Sequence, residues 1–188
     1  MYVEPTVVRA KVDREVRSYV DHHDDYRNRG IWLLEYSFPT LHFAFVAKNH
    51  KPYPLVLFGV AIDFENYDIQ APSIKFVDPL TRRPLKNGEI RAPFLRAAAD
   101  GQSQSRLIQG WTPEDDRPFI CLQGVREYHN NPGHSGDPWL LHRAEGVGRL
   151  AHLLDTLARY GSEPVVSLTY QIQVVPTADL AIGGVIPK

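Results

Sequence analysis

The chain of 188 residues has one cysteine, Cys121, and one methionine. A single thiol excludes an intramolecular disulfide and any metal cage built from cysteines alone. It leaves a buried bystander, a nucleophile, or one thiolate in a mixed metal site. Long apolar runs are missing too. Stretches such as Phe43–Ala47 are strand-sized, well short of the ~18 consecutive apolar residues of a membrane helix. Neither sign of charge dominates: 21 Lys and Arg face 22 Asp and Glu, a formal net charge of −1. That balance lacks the overall basic footprint of a nucleic-acid-binding domain. The opening residues Met1–Pro5 lack the charged-then-apolar order of a secretory leader. With the lone thiol, this predicts a cytoplasmic protein with neither membrane nor nucleic acid among its partners. No Gly-x-Gly-x-x-Gly follows a predicted strand and no Gly-x4-Gly-Lys-Ser/Thr occurs, so neither common nucleotide cradle is encoded.

What is present is an ordinary globular composition, 43% hydrophobic and 23% charged. The length argues for a single domain over 1–188. Within residues 6–28, Val8, Val12, Val16 and Val20 recur at four-residue spacing, which predicts an amphipathic helix. Asn28-Arg29-Gly30 supplies its stop. His22-His23-Asp24-Asp25 near that end has metal-ligand chemistry, but adjacent residues on a helix point in different directions. A solvated helix end is the simpler reading.

From residue 31 the period changes to two. Ile31–Phe38, Leu41–Lys48, Leu55–Phe64 and Ser73–Val77 are predicted strands, separated by short turn-rich stretches. Short connections imply an antiparallel four-stranded meander. Residues 78–105 are irregular and locally basic through Arg82, Arg83, Lys86, Arg91 and Arg96, with a polar loop over 100–105. Phe119–Leu122 is a short apolar extended segment, and 123–145 reads as a long loop. A second helix over 146–160 would bury Leu150, Leu153, Leu154 and Leu157 and end at Gly161. Val165–Val175 alternates as a final strand. The fold class is therefore α+β: an N-terminal helix, a four-stranded meander, and a C-terminal helix plus a last strand.

The chemistry concentrates in Cys121–His142, where Cys121, Glu127, His129, His134 and His142 fall together. As a nucleophile, Cys121 needs an imidazole or positive surroundings to favour its thiolate. His129 and His142 are candidates for that role or for general base. Asn130 and Asn131 carry amides that could face a developing oxyanion. As a metal site, Cys121, Glu127, His129 and His134 offer thiolate, carboxylate and imidazole, a set that suits zinc or iron. Their spacing, Cys-x5-Glu-x-His-x4-His, is not a standard finger. A packed, inert thiol beside solvated histidines is the third reading. Gly146-Val147-Gly148 at a helix start could bind an anion or allow close packing.

The order of these elements resembles the ubiquitin-conjugating enzymes, and local patterns carry the likeness. Tyr53-Pro54 followed by Leu57–Phe64 is similar to that family's third strand. Residues 66–76, Asn-Tyr-Asp-Ile-Gln-Ala-Pro-Ser-Ile-Lys-Phe, are similar to its Tyr-Pro…Pro-Pro…Phe signature. Ile120-Cys121-Leu122 is similar to the Ile-Cys-Leu around its thioester cysteine, and Trp139 falls near a tryptophan that follows it. The likeness covers residues 8–160. It departs from the family before the cysteine: His-Pro-Asn is absent, and Asp78-Pro79-Leu80-Thr81 follows the fourth strand instead. The asparagine that stabilises the family's transition state therefore has no direct counterpart. This departure and the final strand are similar to divergent bacterial relatives encoded with ubiquitin-like proteins, activating enzymes and JAB-type peptidases. The cysteine-to-histidine set also resembles an associated bacterial family, named for a Cys-Glu-His-His set predicted to bind metal.

The resemblance implies a UBC-like domain with Cys121 as a thioester carrier. His129 or His142 would assist proton transfer, and Glu127 would orient an imidazole. A ubiquitin-like protein and an activating enzyme would be the partners, in a bacterial conjugation pathway such as antiviral defence. Thioester transfer itself requires no cofactor. The alternative it implies is a metal-binding accessory protein holding zinc with Cys121, Glu127, His129 and His134 or His142. An inert scaffold of the same fold is the remaining class.

Overall fold

The computed structural model describes residues 2–97 and 103–169. Two helices, α1 (Pro5–Asp21) and α2 (His23–Asn28), stand where the sequence pattern predicts one over 6–28. His22 breaks them, with φ −115° and ψ 20°. The valine row does not hold the inner face along the whole of α1. A step of four residues overshoots a 3.6-residue turn, so the row drifts around the helix. Val8 and Val12 are buried, Tyr19 takes over the inner face, and Val20 is 57% exposed. The Tyr19 hydroxyl donates to the Ile31 carbonyl at 3.2 Å and accepts from the Leu33 amide at 3.1 Å. That ties the helix to the strand that follows. Gly30 ends α2 with φ +82°, and a Cβ there would lie 2.2 Å from the Val46 carbonyl oxygen. Only glycine meets both demands. His22 to Asp25 are exposed, as a solvated helix end requires.

The four predicted strands are observed within a residue or so at each end: β1 (Ile31–Ser37), β2 (Thr40–Ala47), β3 (Leu55–Asp63) and β4 (Ser73–Val77). They form one antiparallel sheet in the order β1-β2-β3-β4. Alternation decides its faces. Leu41, Phe43 and Phe45 on β2, Phe58, Val60 and Ile62 on β3, and Ile74 and Phe76 on β4 are all buried. Phe45 and Phe58 sit opposite in register and stack with centroids 4.8 Å apart. The same core takes Val8 and Val12 from α1 and the leucine stripe of the last helix.

The irregular region after β4 contains two small hairpins. Strands β5 (Leu95–Ala97) and β6 (Gln104–Arg106) pair, as do β7 (Ile108–Gly110) and β8 (Pro118–Ile120). Part of the polar loop predicted over 100–105 thus forms β6, and residues 100–102 lie outside the described residues. The apolar segment predicted over Phe119–Leu122 becomes β8, with Cys121 one residue past its end. A short helix, α3 (Arg126–Asn130), interrupts the stretch predicted as loop. The last helix, α4 (Leu150–Leu157), is shorter than predicted and runs on into a π-helical turn, Ala158–Ser162. Leu150, Leu153, Leu154 and Leu157 are buried as the periodicity requires. The architecture is α+β. The predicted final strand is not formed over Val165–Thr169, and its remainder lies outside the described residues. Among the described residues no helix is long and apolar enough to cross a membrane.

Candidate active site

Cys121 is half-buried where the core ends and a cleft begins. Ile120 before it is fully buried, and the Cys121 amide donates to the Leu107 carbonyl at 2.7 Å. The backbone of the cysteine is therefore fixed to the residue that precedes β7, while its side chain lines the cleft. The cleft is open to solvent and measures about 420 Å³. Around the sulfur it presents Arg96, Gln123, Tyr128, His134 and His152. Gly124 closes one wall. A Cβ there would lie 2.0 Å from the Val147 carbonyl oxygen, so the two backbones can meet only at a glycine.

The segment after the cysteine is bolted to the sheet by α3. Arg126 donates from Nε to the Ala71 carbonyl at 3.0 Å and from its terminal nitrogen to the Glu65 carbonyl at 2.6 Å. The Glu127 carboxylate accepts from the Ser73 hydroxyl and from the Ile74 amide, the latter at 3.1 Å. Trp139 is buried and donates from its indole to the Asp68 carbonyl at 2.8 Å. These anchors aim the histidines. His134 Nε2 lies 3.5 Å from Cys121 Sγ. The Tyr128 ring stacks on the His134 ring, with centroids 4.1 Å apart and planes 29° apart.

His129 and His142, the two histidines expected to serve the thiol, are engaged elsewhere. His129 has Nδ1 2.7 Å from the Asp137 carbonyl oxygen and Nε2 against the Gln123 carbonyl. His142 pairs through Nε2 with Asp137 and approaches Glu145 at 3.4 Å through Nδ1. The Tyr128 hydroxyl donates to the second Asp137 oxygen at 2.7 Å. A continuous path thus runs from His142 through Asp137 to Tyr128, and by ring contact to His134 and the thiol. The histidine beside Cys121 is therefore His134, which the sequence reading placed only in the metal set. Asn131 is committed to a turn: it accepts from the Gly133 amide at 2.9 Å and donates to the Trp111 carbonyl at 3.0 Å. Neither Asn131 nor Asn130 lines the cysteine cleft.

Electrostatics follow from these positions. Burial pushes the Cys121 thiol above its ordinary value, and the Arg96 charge opposes that in part. Asp137 is held down to about 2, first by the bond from His142 and then by the Tyr128 hydroxyl. His142 is raised, chiefly by its bond to Asp137. Tyr128 is pushed up to about 12 by desolvation and by its bond to Asp137.

The residues do not fit a zinc ion. Zinc needs three or four donors converging near ~2.0–2.3 Å from one point. Glu127 faces β4, where the Ser73 hydroxyl and Ile74 amide occupy its oxygens. Both His129 nitrogens face carbonyls, and His142 is paired with Asp137. Of the expected set only Cys121 and His134 share the cleft. Among the described residues no group of three or more His, Cys, Asp or Glu side chains is placed to hold a metal. The Gly146–Gly148 turn serves packing: a Cβ on Gly148 would lie 2.7 Å from the Trp139 ring.

Fold and site together define an α+β protein with a cysteine–histidine pair in an open cleft edged by Arg96. Residues 3–165 match the model of the Y4jH family, and the chain belongs to this Y4jH-like family. The match spans every residue of the cleft. The chain is 38% identical over 198 residues to the uncharacterized protein y4jH of Sinorhizobium fredii (strain NBRC 101917 / NGR234), covering 98% of this chain and 93% of that one.

Proposed function

We propose that the protein is a conjugating-enzyme-like transferase of UBC-like fold that carries a ubiquitin-like protein as a thioester on Cys121. The observation that carries this reading is the 3.5 Å approach of His134 Nε2 to Cys121 Sγ in an open cleft. The order of elements leading to it, helix, four-stranded meander and then the cysteine, supports the same reading.

The chemistry needs a thiolate, and a buried thiol resists forming one. His134 takes the Cys121 proton as the sulfur attacks the carbonyl carbon of the donor thioester. The new C–S bond forms, the donor C–S bond breaks, and the departing sulfur takes the proton back from His134. In the second step an amine attacks the Cys121 thioester, Cys121 leaves as thiolate, and the amine proton passes to His134 or water. Glu127 acts at a distance, holding α3 against β4.

The test combines purified protein, ATP, a ubiquitin-like protein and the activating enzyme that charges it. A thiol-sensitive adduct that forms on wild type, vanishes in Cys121→Ser and slows in His134→Gln supports transfer. No adduct on folded wild-type protein rejects it and leaves the inert scaffold. Because Cys121 is the only cysteine in the chain, the attachment site is unambiguous.

A further inference from the structure

Several arginines on this surface meet a carboxylate. Arg83 pairs with Glu89 at 2.9 Å, Arg117 with Asp115 at 2.7 Å, Arg82 with Glu35 at 3.6 Å, and Arg29 with both Asp155 and Glu163. Arg96 differs. It stands on β5 at the edge of the cysteine cleft, and among the described residues no carboxylate lies at ion-pair distance from it. Across the same cleft is His152, exposed on the first turn of α4. His134 stands on the same wall, and among the described residues no aspartate or glutamate lines the cavity. The nearest acidic groups of this segment are turned away: Glu127 faces β4 and Asp137 is bound by His142 and Tyr128. The α4 N-terminus adds nothing here, since the Leu150 amide donates to Glu15 at 3.2 Å.

We infer that Arg96 and His152 form an anion subsite beside Cys121, which takes the carboxylate or phosphate group of the molecule that reacts with the thiol. A guanidinium presents a planar fork that matches both oxyanions. The fixed Arg96 charge in a concave wall raises the local concentration of anions. The volume of about 420 Å³ admits such a group together with the reacting carbon. The inference rests on Cys121 being a reactive thiol, the reading proposed above, but needs neither transfer nor partner to be examined.

The experiment alkylates Cys121 with iodoacetate, an anion, and with iodoacetamide, its neutral counterpart, at low ionic strength. The ratio of the two rates cancels differences in thiol exposure and ionisation. In folded wild type this ratio should exceed that of the urea-unfolded chain by about fivefold, as expected for one screened charge pair. It should fall to the unfolded value in the Arg96→Gln/His152→Gln double variant and in high salt. Both side chains are exposed, and circular dichroism confirms that the variant stays folded. Protection of the thiol by acetyl-Gly-Gly but not by its amide assigns the subsite to a carboxylate. Protection by inorganic phosphate alone assigns it to a phosphoryl group. A ratio equal to that of the unfolded chain, or protection by neither probe, overturns the inference. A raised ratio without any thioester adduct sinks the transfer reading and keeps the subsite; an adduct with an unchanged ratio does the reverse.

Discussion

Cys121 Sγ and His134 Nε2 lie 3.5 Å apart, although the two residues are separated by thirteen positions in the chain. Arg126 and Glu127 make that meeting possible by pinning the intervening segment to residues 65–74. Burial alone holds the thiol above its ordinary value of 9.0. In the proposed transfer its reactivity at neutral pH would rest on the imidazole 3.5 Å away. His134→Gln is expected to lower the rate of Cys121 alkylation at pH 7 by about a hundredfold, the scale of a lost general base. The variant's rate should rise with pH as a single titration with its midpoint above 9.0. Wild type should show an added limb at lower pH. Superimposable profiles would remove His134 from the mechanism.

Glu127 offers a structural prediction. Its carboxylate accepts from the Ser73 hydroxyl and the Ile74 amide, and Ser73 is only 4% exposed. Glu127→Ala leaves those donors without a partner, at a cost of about 1–3 kcal/mol. Urea titration measures this directly. Ser73→Ala should couple to it in a double-mutant cycle by about 0.5 kcal/mol or more. Strict additivity of the two changes would mean that the bond does not hold α3 in place.

The parts legible in the sequence are those set by local pattern. Strands β1 to β4 are runs rich in β-branched and aromatic residues that end at turn residues, so their limits follow from composition. The leucine stripe of α4 is equally local. Strands β5 to β8 are three residues each, too short for a period to be read. The break at His22 depends on where Tyr19 meets Ile31 and Leu33, a contact the valine spacing does not encode. The choice among His129, His134 and His142 is the clearest loss. All three follow Cys121 closely, and only the anchoring of α3 to β4 decides which one turns toward the sulfur.

The Asp137–His142 pair predicts a window in pH. His142 is raised above its ordinary 6.5, so its contribution to stability is full below that value and is lost as pH rises through the folded value. Asp137 is lowered from 3.8 to about 2, so its contribution is full above 3.8 and is lost as pH falls toward 2. Both charges are present together between 3.8 and 6.5. The difference in urea midpoint between wild type and Asp137→Asn should therefore be largest in that interval. It should shrink on either side. A difference that keeps growing above the window would show that His142 is not the partner stabilising Asp137.

Gly124 sets the width of the cleft. A methyl group there would lie 2.0 Å from the Val147 carbonyl oxygen and 3.1 Å from the Gly148 amide nitrogen, all backbone that cannot rotate away. Gly124→Ala must push the cysteine loop from the turn that precedes α4, a change of the overpacking kind that costs about 1–3 kcal/mol. Gly148 has little room of its own, since a Cβ there would lie 2.7 Å from the Trp139 ring and 3.2 Å from Pro72. Gly88→Ala is the matched control: nothing lies within 4 Å of the added methyl, and a surface change of that kind stays within about 0.5 kcal/mol. Thermal melts of the two variants should separate clearly. In Gly124→Ala the displaced loop carries Cys121 away from His134, so alkylation at pH 7 should slow along with the loss of stability. A variant that melts early but keeps wild-type alkylation would show that the Gly124–Val147 approach holds the fold without setting the geometry of the thiol.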